Sequence, residues 1–351
     1  MKSPYWVRVV SGLILTIALT VLAWWVTKSI YSISLPFGIP GKTLEYPIWA
    51  VLLGITANLV LRLFKAKDFV QPGIRPELFL KIGLVLLGSG INLSLLVSTA
   101  AGAIIQALIL ITCVFFFSFW LAGKFGLDDK MKAVMSTALA VCGVSAAIAA
   151  AGSVLAKKEQ VAYVIAIVIL VALPLMVLAP MAANAMHLPD AVAGAWFGGN
   201  IDTTAAVVGA GTIYSTDAQN IASIVKSTQN ALIGIVAFFL AVFYASRTEG
   251  GQRPSARLIW DRFPKYVLGF IFASILYTLG WIDGGKGSAL EVYKNWAFAM
   301  AFVALGIDFA FGELKNMGWR PAAVFLIATL FNTLLALGTA WVIFYYLLPM
   351  K

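Results

Sequence analysis

Asp202 and Lys226 place a carboxylate and an ammonium inside long apolar runs of a 351-residue chain that is 61% hydrophobic and only 11% charged. A charge at membrane depth costs at least about 2.5–3.5 kcal/mol, so it faces a partner or a water-filled path. A short break at Gly211-Thr212-Ile213-Tyr214-Ser215 separates the two runs; Asp202 lies twelve residues before Tyr214 and Lys226 twelve after it. At about 1.5 Å per helical residue both charges sit roughly 18 Å below one surface, near the midplane of a hydrocarbon core about 30 Å thick. Two antiparallel helices would bring them to one level. Such a pair can neutralise a small anion and exchange a proton or cation. It can equally be a structural ion pair in which Lys226 satisfies Asp202.

Three further groups could join that chemistry. The segment Gly198-Gly199-Asn200-Ile201-Asp202-Thr203-Thr204 offers carbonyl, carboxylate and hydroxyl oxygens. Paired glycines weaken a helix, and an unwound span frees backbone groups to bind a solute; tight helix packing is the alternative use of the same glycines. Gln219, Ser223, Lys226 and Asn230 are spaced four, three and four apart, one polar stripe on a helix, widened by Ser227, Thr228 and Gln229. This face must line a protein interface or a wet cavity. In Ala140-Val141-Cys142-Gly143-Val144-Ser145 a break would start a half-helix near Ser145, whose first amides and positive dipole end attract an anion. Cys142 itself reads as a small packing residue. Asp308, with Asn332 on the next helix, would either couple to an ion or cap a broken helix. The expected substrate site is therefore Lys226, Gly143, Ser145, Asn200, Thr203, Thr204, Ser223, Gln229 and Asn230, and the expected ion-coupling pair is Asp202 and Asp308.

The elements that must position these groups are membrane helices. Mean hydropathy is +0.93, and eleven apolar spans can be counted, at 8–30, 47–64, 76–98, 102–123, 131–155, 160–182, 190–211, 215–246, 264–282, 290–314 and 320–348. The runs are continuous rather than alternating, which argues against a β-barrel. The longest polar stretch is Arg247–Lys265. The expected fold is an all-α polytopic membrane protein: an extra N-terminal helix and loop in residues 1–46, then five helices in 47–188 and five in 189–351. Because five is odd, the second group enters from the opposite side, as in an inverted repeat. The fourth helix of each group holds a candidate break, at 140–145 and at Leu305-Gly306-Ile307-Asp308. Pro174 and Pro180 should kink or end the sixth helix, and Pro189 precedes the seventh.

The first helix carries Lys2 and Arg8 before an apolar stretch that runs past Trp24-Trp25-Val26. It is longer than a signal-peptide core and has no small-residue cleavage site, so it is expected to be retained. The net charge of +10 does not point to nucleic acid. With a cytoplasmic N-terminus, sixteen Lys and Arg fall on inside segments and seven outside, the bias of an inner-membrane protein. Cys113 and Cys142 are the only cysteines and His187 the only histidine. No Walker A motif, metal-ligand cluster, nucleotide fingerprint or catalytic triad is visible. No cofactor, no metal and no enzymatic activity are expected. The expected partners are the lipid bilayer, a small anionic solute and H⁺ or Na⁺.

Gly194-Ala195-Trp196-Phe197-Gly198-Gly199-Asn200-Ile201-Asp202-Thr203-Thr204, then Val207-Val208-Gly209-Ala210-Gly211 and Ala222-Ser223-Ile224-Val225-Lys226-Ser227-Thr228, resemble the signature stretch of the YeiH-like sulfate exporter family. Ala140-Val141-Cys142-Gly143-Val144-Ser145-Ala146-Ala147 is similar to its Cys-Gly-x-Ser-Ala segment. The likeness covers about residues 70–340. It implies a bacterial inner-membrane carrier related to the cation–proton-antiporter and anion-transporter superfamily. Crossing broken helices, an elevator motion and a homodimer follow from the same resemblance. The chain departs from the pattern at Gln229, where the family often has a basic residue, and so has one cation fewer at that level. The function expected is secondary transport of sulfate, a sulfonate or a carboxylate. A cation–proton exchanger using Asp202 and Asp308, or a membrane sensor or subunit that binds a solute without moving it, are the alternatives.

Overall fold

The computed structural model describes residues 4–30, 46–245, 260–261, 265–282, 284–309 and 318–348. Among these there is no strand. The helices are α1 Tyr5–Ile30, α2 Tyr46–Leu63, α3 Lys67–Val70, α4 Pro76–Gly88, α5 Leu93–Lys124, α6 Asp129–Ala140, α7 Val144–Val154 and α8 Lys158–Ala185. They continue with α9 Asp190–Asn200, α10 Thr204–Tyr214, α11 Thr216–Ala231, α12 Ile233–Ala245, α13 Tyr266–Thr278, α14 Gly284–Asp308 and α15 Trp319–Trp341. A turn of π-helix, Val342–Leu347, extends α15. The all-α membrane architecture expected from the hydropathy is the one observed.

Among the described residues seven helices are long and apolar enough to cross a membrane, and Val144–Val154, Thr204–Tyr214 and Tyr266–Thr278 are shorter apolar helices. Each of the eleven expected spans contains helix among its described residues, but three of them are pairs: α6 with α7, α9 with α10, and α11 with α12. Residues 93–98, placed in the third span by hydropathy, belong to α5, because α4 ends at Gly88. Leu305, Gly306 and Ile307 lie inside α14, so the break expected there is instead that helix's C-terminal end at Asp308. Pro174 and Pro180 both sit within α8, which does not end at either; in a membrane helix neighbouring groups can take up the freed carbonyls. Pro189 is the N-cap of α9. The Arg247–Lys265 stretch lies largely outside the described residues.

Local signals set the helix ends. Asp128 caps α6, accepting from Lys130 N at 3.2 Å and Met131 N at 3.4 Å. The Gln160 side-chain amide, with these two backbone N–H groups, holds the Asp128 carboxyl below its usual range. Thr203 caps α10 and Ser215 caps α11, each through its hydroxyl. The turn at Tyr214–Ser215 falls where the sequence placed it.

The chain forms two compact units, Met1–Leu93 with Leu268–Phe309, and Ser94–Val267 with Ala310–Lys351. In the first, α2 crosses α14 at Gly54 and Gly306. A Cβ on Gly306 would lie 2.5 Å from Val51 O and 2.8 Å from Ile55 N, so only glycine lets these backbones approach. A Gly306→Val protein is expected to lose about 1–3 kcal/mol of stability. Thermal unfolding in detergent reads this, and an unchanged midpoint would show that the crossing is not tight. In the second unit, α6, α7, α8, α12 and α15 enclose an apolar core that includes Met135, Leu139, Ala146, Ala147, Val164, Val168 and Phe325.

Candidate functional site

Two interrupted helices meet in the second unit. The α6–α7 interruption spans Val141–Gly143, and Gly143 takes φ +63° and ψ −106°, a region closed to side chains with a Cβ. Its N–H returns to Ala138 O at 2.8 Å. The α9–α10 interruption spans Ile201–Thr203, with extended backbone at Ile201 and Thr203. Gly198 and Gly199 are still helical. Their smallness serves packing: a Cβ on Gly198 would lie 2.7 Å from Val225 Cβ of α11. The break expected within Gly198–Thr204 is present, but the chain leaves the helix after Asn200 rather than at the glycine pair itself. The two interruptions touch, since a Cβ on Gly143 would lie 3.1 Å from Asp202 O. Two helix C-termini and two helix N-termini therefore converge, each worth about half a charge of fixed sign.

Lys226 is 1% exposed. Its ammonium donates to Val141 O at 2.9 Å and to Gln229 Oε1 at 2.8 Å. Gln229 Nε2 donates to Ala140 O at 2.9 Å. The polar stripe of α11 thus satisfies carbonyls at the C-terminal end of α6, where a cation is electrostatically favoured. Two of the three ammonium N–H groups are used. Asp202 is 2% exposed and its Oδ2 has no hydrogen-bond partner. The two charges act on each other, but no ion pair joins them among the described residues. The reading in which Lys226 simply satisfies Asp202 is corrected: the nearer claim on the ammonium is backbone carbonyl.

Asn230 Nδ2 donates to Thr204 Oγ1 at 3.0 Å and to Tyr266 Oη at 2.9 Å, leaving its own Oδ1 without a partner. This sets the start of α10 beside the end of α11. Thr203 is spent on capping, with Ala206 N 3.3 Å from its hydroxyl. Ser223 donates to Gln219 O of its own helix at 2.7 Å and is fully buried. Gly143 is the N-cap of α7, and Ser145 stands exposed in the first turn of that helix.

Asn332 was paired with Asp308 by sequence order. The structure instead sets it against α9, donating to Asn200 O at 3.0 Å and Gly199 O at 3.4 Å. Asp308 belongs to the first unit, at the end of α14, and accepts from Gln71 Nε2 at 2.6 Å. Beside it Asn58, Arg62 and Lys67 converge on Phe309 O. Burial, then the charge of Arg62, holds the Lys67 ammonium below its usual range.

Sequence reasoning missed Tyr266, Thr329 and Thr333. The last two share a face of α15 with Asn332, three and one residues away from it. A polar stripe within an apolar run was the available signal.

The family model described as Conserved hypothetical protein 698 matches residues 11–336. A UPF0324 membrane protein of Rhodopirellula baltica is 33% identical over 317 residues, covering 86% of this chain and 58% of the relative. A UPF0324 membrane protein of Nitratidesulfovibrio vulgaris is 33% identical over 321 residues, covering 86% of this chain and 55% of the relative. Another from that organism is 29% identical over 277 residues, covering 77% of this chain and 76% of the relative. The chain thus spans a little over half the length of the first two relatives. No solved structure matches.

Proposed function

The chain belongs to the Conserved hypothetical protein 698 family of membrane proteins, and we propose that it is a secondary-active transporter of a small anion, coupled to H⁺ or Na⁺. The observation that carries this reading is the meeting of two interrupted helices around Asp202 and Lys226, deep among buried residues. Interrupted membrane helices present half-helix N-termini to anions and C-terminal carbonyls to cations.

In this reading the anion, a sulfate, sulfonate or carboxylate, lies at the start of α7. The amides after Gly143, the Ser145 hydroxyl and the remaining N–H of Lys226 neutralise it. Asn200, Thr203, Thr204, Ser223, Gln229 and Asn230 shape the walls. Asp202 is the coupling group. When it binds a proton or cation, its field on Lys226 falls and the ammonium is redistributed between carbonyl and substrate, which biases one conformation over another. Every one of these residues belongs to one compact unit, as an elevator-type carrier requires of its moving part. The charge bias of the loops supports an inner-membrane location with a cytoplasmic N-terminus.

A second reading, cation–proton exchange, is favoured by one detail: Asp202 Oδ2 is free while Lys226 is committed.

Proteoliposomes carrying an Asp202→Asn protein test the coupling role. Gradient-driven anion accumulation is expected to fall at least about tenfold while anion counterflow continues, because the substrate side is left intact and the coupling charge is gone. Undiminished accumulation would remove Asp202 from the mechanism. Flux that follows Na⁺ with no anion requirement would favour the exchanger.

A further inference from the structure

Four polar residues at the junction of α9 and α15 form a cluster whose hydrogen bonds do not close. Asn200 is 1% exposed, Asn332 2% and Thr329 7%. Asn200 Nδ2, Asn332 Oδ1 and Thr329 Oγ1 are each buried without a partner. A buried polar atom left so costs about 1–3 kcal/mol, and three of them on residues that the Asn332–Asn200 and Thr333–Asn200 contacts bring side by side call for a common occupant.

The chemistry of that occupant follows from counting protons. Asn332 Nδ2 donates to two backbone carbonyls, Gly199 O and Asn200 O. Carbonyls only accept, so the orientation of this amide is settled and its orphan atom is an oxygen. Thr333 Oγ1 stands 2.8 Å from Asn200 Oδ1 and 2.8 Å from Thr329 O. Its hydroxyl has one hydrogen and cannot donate to both. The bond to Thr329 O is the ordinary back-bond of a helical threonine to the carbonyl four residues earlier. With that bond kept, turning the Asn200 amide over lets Nδ2 donate to Thr333 Oγ1, and the two ends of an amide are assigned by their bonds. The turn satisfies the orphan nitrogen and exposes Asn200 Oδ1. All three unpartnered groups now offer oxygen lone pairs: Asn200 Oδ1, Asn332 Oδ1 and Thr329 Oγ1.

An all-oxygen set selects a hard cation. The ligands are neutral, and one carboxylate, Asp202, follows Asn200 by two residues. The patch also lies at the C-terminal, negative end of α9. That is too little charge for calcium, which gathers several carboxylates, and neither amide nor hydroxyl takes up a proton at neutral pH. We propose that the end of α9 and the Thr329–Asn332–Thr333 stripe of α15 form a binding site for Na⁺. Its role as the coupling-ion site rests on the transport reading above, with Asp202 sensing the ion through space; its existence does not.

The test compares thermal unfolding of the detergent-solubilised full chain in NaCl, KCl and choline chloride at equal ionic strength. Na⁺ at saturating concentration is expected to raise the midpoint by at least about 2 °C over choline, because it binds the folded state alone. Thr329→Val removes one oxygen and keeps the Asn332 clamp. It should unfold in choline within about 1 °C of the unaltered protein and lose most of the Na⁺ increment. Equal midpoints in Na⁺ and choline, or a full increment in Thr329→Val, would overturn the site. Should Thr329→Val fail to fold, ²³Na NMR line broadening by the unaltered protein, displaced by added Na⁺ and not by choline, supports the site, and no broadening overturns it. A Na⁺ shift in a protein that moves no anion in vesicles supports the site and sinks the transport reading. Proton-driven anion flux in choline with no Na⁺ shift does the reverse.

Discussion

A Lys226→Met protein is expected to lose both stability and anion flux. The ammonium is fully buried and holds Val141 O and Gln229 Oε1. Methionine fills the stem but supplies no donor. The α6 C-terminus then faces an apolar thioether, and Asp202 loses the opposite charge of Lys226 that acts on it. Removing one member of a buried charged pair costs about 3–5 kcal/mol. The unfolding midpoint in detergent should drop accordingly, and anion flux in proteoliposomes should fall to the level of empty vesicles. The informative comparison is the double variant Lys226→Met with Asp202→Asn. It removes both charges together, so roughly half of the lost stability should return without any flux. If the double variant is as unstable as the sum of the singles, the two charges do not share an environment and the site as described is wrong.

A Gly143→Ala protein is expected to suffer almost as much from a single methyl group. At φ +63° and ψ −106° the backbone is strained for any residue with a Cβ, by about 1–3 kcal/mol. The new Cβ would also stand 2.5 Å from Val168 Cγ1 and 3.1 Å from Asp202 O, an overlap worth about another 1–3 kcal/mol. Part of that strain is relieved by moving the interruption, which pushes Asp202 away from α7. The same variant should therefore bind and move substrate poorly even where it remains folded. Thermal unfolding gives the first effect and counterflow the second. A Gly143→Ala protein with normal stability and flux would mean that the left-handed turn is not needed.

Much of this was legible before any coordinates. Helical spans follow from runs of apolar side chains, and the turn at Tyr214–Ser215 follows from the residues beside it. The small residues at 140–145 marked one interruption, because a helix is weakened locally wherever glycine lowers its propensity. The stripe Gln219, Ser223, Lys226 and Asn230 identified the buried polar face of α11 from its spacing alone. Other features were misread for an equally physical reason. Gly198 and Gly199 looked like breakers, yet α11 and α5 press on them from outside, and packing outweighs a propensity cost of about 1 kcal/mol. Asn332 was matched to Asp308 because they are near in sequence, while its true partners lie more than 130 positions away.

The sequence by itself determined the class of molecule: an all-helical membrane protein with a carboxylate and an ammonium set inside its apolar runs. Hydropathy and helix propensity are sums over neighbours along the chain, so they can be read there. Only the tertiary structure decided which acceptors the Lys226 ammonium holds, which oxygen of Asp202 stays unpartnered, and which unit each acid belongs to. Those outcomes depend on hydrogen bonds between atoms brought within 3 Å from segments some 85 residues apart, and a one-dimensional pattern does not encode which of several nearby carbonyls a buried donor will reach.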